Sequence, residues 1–338
     1  MTPSARRPAR SPEPGAAADG VRAVFFGSGS FAVPILRGAL RAPGIRLVAV
    51  VTVPPAPSGR HAASTATPVG DEATRLGLPL LVPATLRDDA VATTLAALDA
   101  RLGVAADYGL IVPQHVIDLF GAGILNTHPS LLPRWRGATP IAATIAAGDR
   151  ETGVTIISMD AGIDSGPVVA ADRWALGGDE DAPGLLATAA ARGADLLART
   201  AGPWARGELA THAQDEASAT MTRPLRRADG WLDPREPAVG LERRVRAYRP
   251  WPGTFVETPT GRLIVHRVGL SDGHPADRPG VLVEHGDGVA LATVAGRLVL
   301  DEVQPAGGKR MSGAEYRQGR GRALVGLEVR ARTMDGDA

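Results

Sequence analysis

The stretch RAVFFGSGSFAVPILRGALRAPGIRLVAVVTV, residues 22–53, decides the fold. Residues 22–27 are a short apolar run closed by a glycine, as expected of a strand buried on both faces of a parallel sheet. Apolar residues at helical spacing follow over 31–40, and the β-branched run 45–53 predicts a second buried strand. Strand, helix and strand in that order predict a doubly wound α/β sheet. Working outward, the cycle repeats with a helix near 71–76, a strand near 78–82 and a helix near 90–98. Strands at 102–106, 123–127 and 153–159 complete one sheet. The Ala- and Leu-rich stretch 184–201 predicts a closing helix. Residues 208–227 lack a strong apolar period and read as a linker. Beyond them, short alternating runs at 254–256, 263–268, 280–283, 289–294 and 297–303 are separated by Gly, Asp and Pro, which predicts a small antiparallel barrel. The expected organisation is a disordered tail over 1–20, an α/β domain over 21–207, the linker, a β-barrel domain over 228–328 and a frayed end over 329–338.

A chain of 338 residues has room for about two domains with separate cores. Hydrophobic content of 44% and charged content of 22% are ordinary for a soluble protein. Cysteine is absent, which excludes a disulfide framework, thiolate metal sites and a cysteine nucleophile, and fits a reducing, cytoplasmic setting. No apolar stretch approaches the roughly 20 residues that span a bilayer, so no membrane partner is expected. The formal charge is +1, and Lys309 is the only lysine. A uniform basic coat is thereby excluded, and only local arginine clusters carry a functional reading. The N-terminal tail mixes Arg, Pro, Ser and Ala without the apolar centre of a secretory signal; an organellar transit peptide is the alternative.

Gly27-Ser28-Gly29-Ser30-Phe31-Ala32 fits the G-x-G-x-x-G/A fingerprint of dinucleotide binding. That chemistry also needs an acidic residue at the end of the second strand to hold ribose hydroxyls. Between Asp19 and Asp71 there is none, so the glycines read as a tight strand-to-helix turn. A more specific constellation is NTHPSLLPRWRG, residues 126–137. Asn126 and His128 stand two apart at an expected strand end, so both side chains point to one face and can converge on one atom. Open α/β sheets bind ligands at such carboxyl ends. MDAGIDSG, residues 159–166, adds Asp160 and Asp164 in a glycine-containing loop. Either carboxylate could support the His128 imidazole, and spacing alone does not choose between them.

NTHPSLLPRWRG followed by MDAGIDSG resembles the signature of the folate-dependent formyltransferases. The resemblance extends in order through FFGSGSFAVP (25–34), DYGLIVP (107–113), GDRETGVTIISMD (148–160), RAYRPWPGTF (246–255) and QPAGGKRMSGAEYRQG (304–319), over roughly residues 21–325. It points to the branch of that family that acts on methionyl-tRNA. The resemblance implies a Rossmann-like formyltransferase domain followed by an OB-like β-barrel. It implies formyl transfer from 10-formyl-tetrahydrofolate to the α-amine of initiator methionyl-tRNA, without a metal and by a monomer.

By that resemblance Asn126, His128 and Asp164 are catalytic; Asp164 matches the second aspartate of the family's D-x-G-x-D-x-G loop. Tyr108, Gly109, Leu110, Ile111 and Val112, with Ser130, Leu131, Leu132, Pro133 and Gly162, are implied to hold folate. Asp107 stands where many relatives have alanine. Arg60, in an inserted loop whose lysine pair is here alanine, and Arg223, in the linker, are implied to meet tRNA. Arg243 and Arg246 join them as part of a basic and aromatic cluster with Arg244, Tyr248, Arg249 and Trp251. Trp251, between two prolines, is expected to pack between the domains. The competing readings are a formyltransferase acting on an amino sugar, a nicotinamide-dependent oxidoreductase and a non-enzymatic RNA-binding module.

Overall fold

The first strand, β1 (Val21–Gly27), is buried from its third residue onward. It opens the first unit of the computed structural model, which describes residues 20–58 and 63–330. The chain continues through α1 (Ala32–Arg41), β2 (Ile45–Val51), the paired β3 (Ala56–Ser58) and β4 (Ala63–Thr65), α2 (Pro68–Arg75) and β5 (Leu80–Leu81). Next come α3 (Asp89–Ala97), β6 (Leu102–Ala106), α4 (Gln114–Ile117), β7 (Ile124–His128), β8 (Arg136–Gly137) and α5 (Pro140–Ala147). The unit ends with β9 (Glu151–Ser158), β10 (Val168–Ala175) and α6 (Ala182–Ala205). The seven-stranded sheet has the order β10-β9-β7-β6-β1-β2-β5.

Chain direction reverses its sideways progress between β1 and β6, the switch point beside which α/β sheets form their ligand crevices. Phe25 turns to the layer of α1 and α6, while Phe26 turns to the opposite layer, where it meets Tyr108 and Phe120 edge-on at 5.6 and 5.8 Å. Full burial of such side chains stabilises by about 1.5–3 kcal/mol each. Helix α6 starts cleanly because Asp181 accepts a hydrogen bond from the Gly184 amide. The expected 102–106 strand coincides with β6. The expected 153–159 strand is β9, but it runs antiparallel to β7, and β10 is antiparallel to β9. The sheet is therefore mixed rather than wholly parallel.

The second unit contains α7 (Ala238–Ala247), β12 (Thr254–Thr258), β13 (Gly261–Ser271), β14 (Leu282–His285), β15 (Gly288–Ala292), β16 (Arg297–Pro305), β17 (Met311–Ser312) and α8 (Gly313–Gln318); β11 (Met221–Thr222) precedes it. Its antiparallel sheet has the order β12-β13-β16-β15-β14, with β17 beside β16. Leu241 and Val245 of α7 and Tyr316 of α8 fill its core. The end of the chain closes this sheet. Leu282 N donates to Leu327 O at 3.0 Å, Val329 N to Gly280 O at 2.8 Å and Arg330 N to Glu257 O at 2.7 Å. Residues 329 and 330, expected to be frayed, thus span from the β14 side to β12, and Val329 is buried.

Two further stretches make contacts that the sequence did not show. Residues 208–227 do not hang free between the units: His212 exchanges hydrogen bonds with Val168 at 2.8 and 2.9 Å, and β11 pairs parallel with β8. The stretch lacked an apolar period because it is held by backbone pairing instead. The packing roles of the basic cluster are also reversed. The Arg243 guanidinium lies on Gly148, and Arg246, its side chain 14% exposed, binds Glu242 and donates to Glu180 O at 2.6 Å. Arg249 faces Asp181 at 3.7 Å. These arginines join the two units, whereas Trp251, expected to do so, is 51% exposed. Among the described residues no helix is long and apolar enough to cross a membrane.

Candidate active site

Alternation along β7 divides its side chains between two faces. Leu125 and Thr127 turn toward α6, leaving Asn126 and His128 on the other face. β7 lies between β6 and β9, with Asn126 opposite Ala105 and Ile157, so this part of the site rests on rigid sheet. His128 is only 5% exposed. Its Nε2 donates to Trp135 O at 2.9 Å; a carbonyl only accepts, so that nitrogen carries a proton. The carbonyl is turned inward because Trp135 has φ +62°. His128 Nδ1 faces Asp164 Oδ2 at 3.6 Å.

Asp164 joins three segments through one carboxylate. Oδ1 accepts from Asn126 Nδ2 at 3.1 Å, and Oδ2 accepts from the Gly137 amide at 2.8 Å. Its own backbone is left-handed, φ +50°, a conformation that aspartate tolerates better than most residues. Asp160 instead serves its own turn, accepting from Gly162 N at 3.0 Å and Ser165 Oγ at 2.9 Å. The carboxylate that spacing left undecided is thus Asp164 by position. Gly137 has φ +98°, and a Cβ there would stand 2.4 Å from Thr222 O, so only glycine permits the β8–β11 pairing that presents its amide.

Three supporting residues escaped the sequence reading. Gln214 Nε2 donates to Asp164 O and Gly166 O, both at 2.7 Å, and its Oε1 accepts from Arg136 Nε and Nη2 at 3.0 and 2.9 Å. Arg136 is buried and pairs with Glu216 at 2.6 Å. That hydrogen-bonded carboxylate raises the Arg136 pKa further above its ordinary value. A buried charge persists only when paired, so Arg136, Gln214 and Glu216 form one support beneath the Asp164 turn.

The other expected site residues separate by environment. Tyr108 and Val112 are core residues; burial pushes the Tyr108 hydroxyl up to about 12. Gly109, with φ +84°, and Ile111, 72% exposed, face outward, and Leu110 is half-buried. Ser130 is buried and donates to Arg134 O at 2.7 Å, fixing its loop. Leu131, Leu132 and Pro133 line a cavity of about 390 Å³ with Trp135, Thr144 and Arg173; Asn126, His128 and Asp164 are outside that lining. Gly162 is exposed beside Ile163. Arg223 pairs with Asp229 at 2.6 Å on the surface, and Arg60 lies outside the described residues. No group of three or more His, Cys, Asp or Glu among the described residues could hold a metal ion.

Asp107 follows β6 with φ +43°, and its carbonyl accepts from Ser28 N and Gly29 N at 3.0 and 3.1 Å. Its carboxylate lies over Gly29, within 1.7 Å of where a Cβ would stand. The fingerprint-like glycine is needed for that approach, and a carboxylate fills the space where a dinucleotide's phosphates would come. Although the residue keeps an exposed edge, crowding by protein raises its pKa from 3.8 to about 6. The folded chain therefore holds a proton that the unfolded chain has released. The resulting stability is complete below about pH 4 and lost as pH rises through about 6. Asp107→Asn is expected to raise the melting temperature at pH 7.5 and leave it unchanged near pH 3.5. An identical difference at both pH values in thermal unfolding would exclude this titration as the cause.

Comparison with known proteins follows the same division of the chain. Residues 21–198 match the formyl transferase family model, and residues 224–321 match the model of the formyl transferase C-terminal domain. The chain is similar to methionyl-tRNA formyltransferase of Roseiflexus sp. (strain RS-1), 44% identical over 88% of this chain and 92% of that protein. It is also similar to methionyl-tRNA formyltransferase of Myxococcus xanthus, 40% identical over 88% of this chain and 95% of that protein. Among solved structures, an N-formyltransferase from Helicobacter canadensis in complex with folinic acid and dTDP-3-aminofucose aligns with a TM-score of 0.60. It is 13% identical over 83% of this chain and 99% of that one. HypX from Aquifex aeolicus in complex with tetrahydrofolic acid aligns with a TM-score of 0.57, 14% identical over 93% of this chain and 51% of that one. At these identities the structural likeness concerns the fold alone.

Proposed function

Since the chain belongs to the folate-dependent formyltransferase family, in its methionyl-tRNA formyltransferase branch, we propose that Asn126, His128 and Asp164 transfer the formyl group of 10-formyl-tetrahydrofolate to the α-amine of initiator methionyl-tRNA. The observation that supports this reading is the single carboxylate of Asp164, which binds Asn126 and faces His128 Nδ1. Formyl-folate supplies an electrophilic carbonyl carbon and a leaving nitrogen. An unprotonated α-amine, with an ordinary pKa of about 7.7–8.0, attacks that carbon. One carbon–nitrogen bond forms, and negative charge develops on the formyl oxygen.

Donors aimed at that oxygen lower the barrier; removing one typically costs about a hundredfold to a thousandfold in turnover. Asn126 Nδ2 has two protons, and only one is used by Asp164. The second is available to the oxyanion. Because His128 Nε2 is bound to Trp135 O, Nδ1 is the ring atom that donates or returns a proton. Asp164 stabilises the ring when both nitrogens are protonated. The excess proton of the attacking amine is passed to the folate nitrogen as the second carbon–nitrogen bond breaks, so charge and atoms balance. Of the arginines first assigned to tRNA, Arg223 remains exposed on the surface, joined by Arg226 and Arg227; Arg246 is committed to the contact between the two units.

Transfer of label from 10-formyl-tetrahydrofolate tests this reading, with charged initiator tRNA, charged elongator tRNA and an amino sugar offered as acceptors. Label is expected in initiator methionyl-tRNA. Label in the sugar alone, or in neither tRNA, would overturn it.

A further inference from the structure

Trp251 opens a second site. Apart from the α/β unit, the described surface has a cavity of about 250 Å³ lined by Trp251, Phe255, Ile264, Arg227 and Arg262 with residues 252–254. It lies where the end of the 208–227 strap meets the barrel, since the Gly230 Cα packs against Gly253 O and Trp231 bridges to Phe255. One wall is an open aromatic side chain and another is a guanidinium lying on a ring. Trp251 presents an exposed indole, and Arg262 stacks on Phe255 with its guanidinium carbon 3.9 Å from the ring centroid. Whole small-molecule sites occupy roughly 300–1,000 Å³, so this volume suits one planar group rather than a complete cofactor.

The charge around the cavity selects the class of planar group. Arg262 is neutralised by Glu257 at 2.7 Å. Arg227 on the wall and Arg226 next to it are exposed and have no ion pair among the described residues. Arg223, three residues before Arg226, is exposed too, but Asp229 neutralises it at 2.6 Å. An aromatic wall with the unpaired Arg227 beside it fits a base attached to a phosphate backbone, and it disfavours an apolar or cationic side chain. The sheet scaffold supplies no competing explanation, because Trp251 contributes to none of the three buried cores.

We propose that this cavity receives one unpaired nucleobase of an RNA strand, stacked on Trp251, while Arg226 and Arg227 meet the adjoining phosphates. The proposal rests on the RNA acceptor proposed above and adds a subsite to it, on the face of the barrel rather than at the formyl-transfer cluster. A duplex end would not enter, since its bases are already stacked on each other.

The experiment is binding of the full chain to an unstructured hexauridylate and to an RNA duplex of equal length, followed by fluorescence anisotropy at two salt concentrations. Stacking is worth about 1–3 kcal/mol per base, so Trp251→Ala is expected to weaken hexauridylate binding by about fivefold to a hundredfold, with Trp251→Phe retaining most of the affinity. Arg227→Ala is expected to reduce the salt slope by about one. Unchanged affinity in Trp251→Ala, equal binding of the duplex, no binding by the wild-type chain, or displacement of hexauridylate by a proline-rich peptide but not by uridine monophosphate would each overturn the proposal. An unchanged melting temperature, expected for a half-exposed side chain, separates lost binding from lost folding. Formylation of methionyl-tRNA by the wild-type chain is measured separately: its failure would remove the proposed acceptor without altering what the oligonucleotide reports.

Discussion

His128→Ala is expected to reduce turnover by about two to four orders of magnitude while the protein still folds. The imidazole is buried on β7, yet its two polar contacts are with Trp135 O and the Asp164 carboxylate rather than with the apolar core. Removing it takes away the one ring nitrogen free to exchange a proton with the reacting groups. It also leaves the Trp135 carbonyl without its donor, a cost of about 1–3 kcal/mol that water entering the vacated space reduces. The melting temperature should therefore fall by only several degrees, and folate affinity should be preserved. Turnover within tenfold of wild type, measured with saturating formyl-folate and charged tRNA, would take His128 out of the chemistry. A collapse of the melting transition would instead make its role structural.

Gln214→Ala is expected to lower turnover by about tenfold to a hundredfold, although the side chain touches none of Asn126, His128 or the Asp164 carboxylate. Misplacement of a catalytic group by about 1 Å is enough for a loss of that size. The amide binds two carbonyls with its nitrogen and Arg136 with its oxygen, so one side chain holds both ends of the 164–166 turn. Gln214→Glu separates positioning from bulk. A carboxylate keeps the size and the contact to Arg136, but it cannot donate to the carbonyls of Asp164 and Gly166, and it repels them. Activity in Gln214→Glu is expected at or below that of Gln214→Ala. Recovery of turnover in Gln214→Glu would show that filling the space is sufficient and that the two donated hydrogen bonds are not needed.

The α/β cycle was readable because its inner strands are buried on both faces and need continuous apolar runs, as in residues 102–106. Strand β10 was missed because it sits at the sheet edge, where three of its eight residues are exposed and Asp172 and Arg173 interrupt the pattern. Helix α5 has eight residues and follows a loop, too short to establish a period. Asn126 and His128 were placed on one face by the two-residue repeat of a strand, which is local and robust. Gln214 was not legible, since an amide bonding to carbonyls 48 and 50 residues away leaves no mark in neighbouring residues. The contacts that the α7 arginines make between the units were not legible for a related reason. A charge run states that a helix face is polar, but not whether that face meets solvent or the carbonyls of another unit.

The pairing of β8 with β11 has a consequence in time as well as in space. During synthesis, once α6 has emerged, the nascent chain already contains Asn126, His128 and Asp164. The amide beneath the Asp164 turn arrives only with residue 214, and the Arg136 charge gains its partner two residues later. A polypeptide released at the end of α6 would carry the reacting side chains in an unbraced loop. The support of the Asp164 turn is thus completed in a late step of translation, when the strap pairs with β8, and before the barrel has been made.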